Sequence, residues 1–278
     1  MARTLAFALR VLSGRVLNWQ DHACPYCQSI ETRAVGKKHL ILQLRECRLC
    51  GLKYRFPKDD PSYAESYYQR GYAEPTVTDI PSPDQLPNLL ATAFKGSPFD
   101  KAEKVDFVIS RLGGHFEELH VLDYGASFGY LMSQLRSRGA KHLLGYEISR
   151  QRAQYGVEKV GEEILSNPDQ VFSHSLCPFD VILTSHVLEH LSCIGEALDF
   201  FSRTLKHPGG RLIVWVPNAS KAALDRYHNG SWAQLVGQTH TIALDYDFFM
   251  KSLPKHGFRI VETGDPSDQE IRLIAEAI

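Results

Sequence analysis

Four cysteines fall in two close pairs, Cys24 with Cys27 and Cys47 with Cys50, nineteen residues apart. Two C-x-x-C knuckles at that separation suit one tetrahedral metal ion: each short loop delivers two sulfurs and the run between them closes the site as a hairpin. Pro25 and Gly51 fit the tight turns the knuckles need. The set predicts structural zinc on Cys24, Cys27, Cys47 and Cys50, with His22 as a substitute ligand. Four thiolates leave no open position, so catalysis at the metal is not expected. Disulfide pairing is the competing use of these cysteines. No secretory leader with a cleavage site is expected from the first residues, and an intracellular, cytoplasmic chain would keep its thiols reduced. Cys177 and Cys193 read as buried small residues.

A second constellation begins where the apolar run HVLDY (120–124) enters GASFGYL, giving D-x-G-x-S-x-G from Asp123 through Gly125 and Ser127 to Gly129. Glycines let a backbone approach a ligand closely. Glu147 ends the next apolar run, eighteen residues after Gly129, where a carboxylate can accept both hydroxyls of a ribose. The spacing departs from the G-x-G-x-x-G turn that meets a pyrophosphate. An acid at position 123 better suits a nucleoside cofactor with a cationic tail. Taken alone, the glycines could be a simple turn and Asp123 a partner for loop amides.

A third group is histidine-rich. His186, Glu189 and His190 form H-x-x-E-H after the run FDVILTS (179–185), and His240 lies in QTHTIALDYDFF. Imidazole is the natural base near neutral pH, so His240, then His190 and His186, are candidate bases, with Glu189 as an orienting partner. H-x-x-E-H is also a metallopeptidase pattern, but its place after a strand of a nucleoside-binding sheet argues against that use. His190 could equally cap or pack its helix.

The elements that must carry these residues alternate from His120 onward. Strand-like runs at 120–124, 142–147, 179–185, 211–217 and 258–263 are mostly separated by helix-compatible stretches, which reads as a parallel, doubly wound α/β sheet. EIRLIAEAI (270–278) reads as a last strand at the sheet's end. Four regions are expected: an amphipathic segment at 1–20, a zinc module at 21–58, a proline-interrupted linker or lid at 59–104, and a cofactor domain at 105–278. Short helices are expected near Leu86–Phe94 and Lys101–Leu112. At 278 residues with 44% hydrophobic content and no apolar run of membrane-spanning length, a wholly disordered or membrane-spanning chain is excluded. The net charge of −1 conceals an asymmetry: residues 1–58 hold eleven Lys/Arg against three acids, or +8, leaving −9 for the rest. The basic, apolar first 20 residues could lie on an anionic membrane, pack on the main domain, or serve as a targeting peptide.

Over about 105–278 the chain resembles class I S-adenosylmethionine-dependent methyltransferases. VLDYGASFGYL resembles their first motif, LLGYEIS their second, FDVILTSHVLEHL the fourth-strand motif and LKHPGGRLIVWVPN the strand that follows. The resemblance implies a Rossmann-like, mostly parallel seven-stranded sheet and S-adenosylmethionine as cofactor. It places Gly125, Ser127 and Gly129 beside the methionine portion with Asp123 near it, Glu147 on the ribose, Ile148 against adenine, and Ser185 and His186 beside the transferring methyl. Ser127 stands where glycine is usual. Ubiquinone-pathway O-methyltransferases look similar around 186–190 and use acids there for a divalent cation, where this chain has His186.

C-P-x-C, a second C-x-x-C-G-L, then Tyr67, Tyr68 and Tyr72 ahead of the main domain are similar to bacterial sugar and polysaccharide methyltransferases over about 22–278. That likeness implies O-methylation of a sugar or glycan-type substrate and makes His240 the base. Thr239 replaces the glutamate such enzymes often carry before that histidine. Trp215, Asn218, Trp232 and Tyr246 could wall a carbohydrate site or could be core. A glycolipid at the inner membrane face would suit residues 1–20. RNA methylation is the rival enzyme reading, because +8 over 58 residues suits phosphates, although no N/D-P-P-Y/F motif follows the fourth strand. A catalytically inert assembly module is the non-enzyme alternative.

Overall fold

Alternate residues of the central strands are buried on opposite faces, so both faces of the sheet must be covered. In the computed structural model, which describes residues 7, 9, 11, 12, 21–39, 41–59, 66–69 and 79–278, this requirement produces a seven-stranded sheet. It is built from β4 (His120–Tyr124), β5 (His142–Tyr146), β6 (Ile164–Leu165), β7 (Val181–Ser185), β8 (Arg211–Pro217), β10 (Phe258–Thr263) and β11 (Glu270–Ala277). Their order is β10-β11-β8-β7-β4-β5-β6. Leu122, Leu144, Ile182 and Leu212 pack on one face with Leu198 and Phe201 of a helix at Ile194–Thr204 and with Phe248 and Phe249. Val121, Leu143, Val181 and Ile213 face the other way, against Val105 and Val108 of a helix at Ala102–Leu112 and Met132 and Leu135 of a helix at Tyr130–Ser137.

The pairs β8–β7, β7–β4, β4–β5 and β5–β6 are parallel. Two features differ from the sequence expectation. β11 does not close the sheet's end: it lies between β10 and β8, antiparallel to both, and pairs with β8 from Glu270 opposite Pro217 to Glu276 opposite Arg211. Its burial explains the place, since Ile271, Leu273, Ile274, Ala275 and Ala277 need cover on both faces, which an interior position provides. The true edge opposite β10 is the two-residue β6, too short to leave a periodic signal.

The cysteine-rich region forms β1 (Thr32–Lys38), β2 (Leu42–Cys47) and β3 (Lys53–Phe56), successive strands antiparallel. Its fourth strand is β9 (Ile242–Ala243), which comes from the larger domain and pairs with β3. Tyr26, between the first two cysteines, packs edge-on against Phe248 at 5.2 Å and hydrogen-bonds His256 Nε2 at 3.0 Å. Lys53 pairs with Asp245, and the Lys38 ammonium donates to the Val236 carbonyl. Most of residues 1–20 lie outside the described residues. Of the four described, Val11 is buried while Leu9 and Leu12 are exposed. Tyr72 also lies outside them. The helix expected near 86–94 spans Leu86–Ala91, and Ala93 and Phe94 leave it with positive φ.

Candidate functional site

The carboxyl ends of β4, β5 and β7 open into a cavity of about 760 Å³, the place where open α/β sheets bind ligands. Gly125, Ser127, Glu147, Ile148, Ser185, His186, His190 and His240 all line it, whereas Asp123, Gly129 and Glu189 lie just behind its wall. The amides of Gly125 and Ala126 both donate to the Tyr146 carbonyl, at 2.8 and 3.0 Å, which folds the turn against β5. Gly125 has φ +91°, and a Cβ there would run into the Val187 side chain. Ser127 also has positive φ, +52°. Its amide donates to Glu147 Oε2 at 2.9 Å, and its Oγ accepts from Arg152 Nη1 at 3.0 Å.

Glu147 Oε1 accepts from the Ser149 amide at 2.8 Å. Burial pushes the Glu147 carboxyl upward, opposed by these two amides and by Arg152. Asp123 is buried and its carboxylate has no hydrogen-bond partner among the described residues. Burial, then the charges of Glu147 and Glu162, push it up to about 7. A cation is what such a group lacks. These features fit S-adenosylmethionine: a Cβ-free approach at Gly125, a carboxylate with lone pairs to spare at the ribose position, and an unpartnered acid for the ammonium of the tail. Ile148 is braced from outside, its carbonyl accepting from Gln69 Nε2 at 2.7 Å.

The histidines converge at the other side of the cavity. His186, at φ +55°, is clamped between two carboxylates: Nε2 lies 2.6 Å from Glu270 Oε1 and Nδ1 lies 3.3 Å from Glu189 Oε1. Burial lowers its pKa, but Glu189 and Glu270 more than reverse this and raise it to about 8. It is therefore a cation at neutral pH. Lys104 completes this network, 3.2 Å from Glu270 and 2.9 Å from Ser185 Oγ. His190 is the opposite case, driven down to about 4 by burial and so neutral.

His240 meets His190 edge-on, with ring centroids 4.4 Å apart. Its Nδ1 lies 3.1 Å from the Leu235 carbonyl. A carbonyl only accepts, so Nδ1 is the donor, and in the neutral ring Nε2 is then the acceptor. Glu189, His190 and His240 bring one donor atom each to within 4.8 Å of one another. Both Glu189 oxygens are buried; Oε1 faces His186, and Oε2 has no hydrogen-bond partner among the described residues. Glu189 stands beside this pair of rings, its backbone carbonyl accepting from the Thr241 amide at 3.0 Å.

Several expectations need correction. Trp215, Asn218, Trp232 and Tyr246 do not line the cavity: the first three are buried at 3, 0 and 8% exposure, and Tyr246 packs against the core. The aromatic lining is Tyr68, Tyr124, Tyr130, Tyr146 and Phe200. Cys193 is half-buried at the cavity wall rather than in the core. Lys101, Lys104, Arg152 and Glu270 carry charge at or beside the cavity, and no motif pointed to them.

None of the four knuckle cysteines forms a disulfide. Cys24 and Cys50 Sγ are 3.5 Å apart, as are Cys27 and Cys47, and all four lie within 4.8 Å of one another. This is far beyond a disulfide bond, and Zn–S bonds of about 2.3 Å would place tetrahedral sulfurs about 3.8 Å apart. The donor set fits zinc.

Residues 99–263 match the family described as "Methyltransferase domain". Ubiquinone biosynthesis O-methyltransferases from Caulobacter sp. (strain K31) and Caulobacter vibrioides are each 30% identical over 115 residues, 39% of this chain. The chain spans only 45% of the length of these curated relatives. Magnesium protoporphyrin IX methyltransferase from Synechocystis PCC 6803, solved with bound S-adenosylhomocysteine, superposes with TM-score 0.52 at 17% identity over 79% of this chain and all of that one. A chain of the complex between the Haloferax volcanii Trm112 methyltransferase activator and a methyltransferase gives 0.51 at 14% identity, covering 70% and 96%. At these identities the two structures speak for the fold. The family match spans more than half the chain, and the chain belongs to that family.

Proposed function

We propose that this S-adenosylmethionine-dependent methyltransferase O-methylates a hydroxyl of a sugar or glycan-type acceptor, with His240 as base. The observation that carries the proposal is the His240 tautomer: Nδ1 is committed to the Leu235 carbonyl, leaving Nε2 as a proton acceptor at the cavity. Bound S-adenosylmethionine supplies an electrophilic methyl group on a sulfonium. A hydroxyl is too weak a nucleophile without a base, and His240 Nε2 takes its proton. The buried Glu189 carboxylate favours the imidazolium that results. His186, already a cation between Glu189 and Glu270, borders the methyl position with Ser185 and orients rather than deprotonates. Asp123, behind the cavity wall, attracts the ammonium of the tail by its charge, Glu147 takes the ribose hydroxyls and Ile148 the adenine, while Gly125 and Ser127, backed by Gly129, shape the passage for the methionine portion.

The similarity to ubiquinone biosynthesis O-methyltransferases supports oxygen as the acceptor atom. The sugar class rests on the joint pattern of cysteine knuckles, Tyr67, Tyr68 and cofactor domain, and on the ring of aromatic side chains in the cavity, since such faces stack on sugars. Cys24, Cys27, Cys47 and Cys50 hold a structural zinc. Among the described residues no helix is long and apolar enough to cross a membrane. A peripheral role for residues 1–20 at an anionic surface belongs to the same proposal.

The test uses full-length protein, S-adenosylmethionine carrying an isotopic methyl label, and separate pools of hydroxyl-bearing glycans and of RNA. The expected result is label on a glycan oxygen, read by NMR of the product. Label on RNA with none on glycan would replace the reading by the nucleic-acid one, for which the +8 of residues 1–58 is the supporting feature.

A further inference from the structure

Ser127 and Arg152 are two departures that meet. Serine at φ +52° sits in the left-handed region, which an L-residue adopts less readily than glycine. Arg152, on the helix Arg150–Tyr155 that follows the Glu147 turn, is 7% exposed and lines the cavity. A buried guanidinium is destabilising unless its charge and donors are matched. The two meet: Arg152 Nη1 donates to Ser127 Oγ at 3.0 Å, and the Ser127 amide donates to Glu147 Oε2 at 2.9 Å. Guanidinium, hydroxyl, amide and carboxylate form one continuous chain across the cavity edge. The opposite charge of Arg152 also acts against the burial of Glu147 and favours its ionised form.

We infer that Arg152 is a positioning residue, which fixes the Ser127 turn and the Glu147 carboxylate in the geometry that receives the cofactor's ribose. It rests on the cofactor reading of the cavity given above. Its effect on the ribose runs through Glu147, so adenosine, which lacks the amino-acid tail, must feel it as well.

The test is a double-mutant cycle on the full chain, with S-adenosylhomocysteine and adenosine as probes in calorimetry. R152Q is expected to weaken both probes by the same factor, about tenfold, because a hydrogen bond from a charged donor is lost. S127A, which removes only the acceptor, should weaken them about threefold. The double variant should bind no worse than R152Q alone, because both changes break one bond. R152K, which keeps the charge, should recover most of the loss. If R152Q does not give a folded melt, S127A and R152K carry the test. Near wild-type binding by both R152Q and S127A would overturn the assignment, as would losses that multiply or that spare adenosine. Wild type that binds neither probe would overturn the cofactor reading itself, a different failure.

Discussion

Replacing Cys47 by serine, or stripping metal with a chelator, should melt the N-terminal sheet and abolish turnover together. The two are linked through β9. Cys47 ends β2, β2 pairs with β3, and β3 pairs with the strand that begins two residues after His240. The Arg55 amide donates to the Thr241 carbonyl at 3.0 Å and the Arg55 guanidinium to the Gln238 carbonyl at 3.2 Å, so β3 holds the base segment from both sides. A structural zinc is folding free energy in small modules. Here a loss of about 3 kcal/mol or more is expected, about 6–12 °C in Tm for a chain of this size. One zinc per chain should be found by metal analysis before chelation and none after. S-adenosylhomocysteine should still bind, since Glu147 and the glycine turn are anchored on β4 and β5. A chelated protein that melts unchanged would show that the cysteines do not hold a structural metal.

His240→Asn should lower kcat by about 10²- to 10⁴-fold, the usual worth of general-base catalysis, while S-adenosylhomocysteine binding stays within about twofold. Asparagine can still donate to the Leu235 carbonyl, so the segment need not move. His190→Asn and His186→Asn should cost less. The first ring is neutral because burial drives it down to about 4, where it makes a poor base. The second is a cation at about 8, held by Glu189 and Glu270. Full activity in His240→Asn with loss in His190→Asn would move the base to His190. Single-turnover measurement with saturating cofactor separates the chemical step from binding.

Much of this arrangement is legible in the chain itself. Runs such as HVLDY and RLIVWVP become strands with the bounds their apolar residues suggest, because strands buried on both faces need uninterrupted hydrophobic side chains, and FRIVET keeps its bounds as an edge strand of alternating burial. Gly125, Ser127 and Glu147 meet at one cavity because parallel strands place successive carboxyl ends side by side. What stayed hidden depends on distance across the fold. Nothing local shows that Glu189, fifty-one positions before His240, comes close to its ring. Arg152 reads as an ordinary helical arginine until Ser127 is placed opposite its guanidinium. Trp215 and Trp232 carry the composition of a sugar-binding wall, yet the core needed their volume. β11 looked terminal because it is last in sequence, whereas sheet order is set by which strand can bury both of its faces.

The most direct measurement is calorimetric binding of S-adenosylmethionine and S-adenosylhomocysteine to the zinc-loaded full chain and to its Glu147→Ala variant. Glu147 holds the Ser127 and Ser149 amides and faces the cavity where the ribose belongs. Micromolar binding by wild type, weakened at least about tenfold (~1.4 kcal/mol) in Glu147→Ala, is the expected result. Folded wild type that binds neither molecule, or a variant that binds both as tightly as wild type, would contradict the assignment of this cavity to the cofactor.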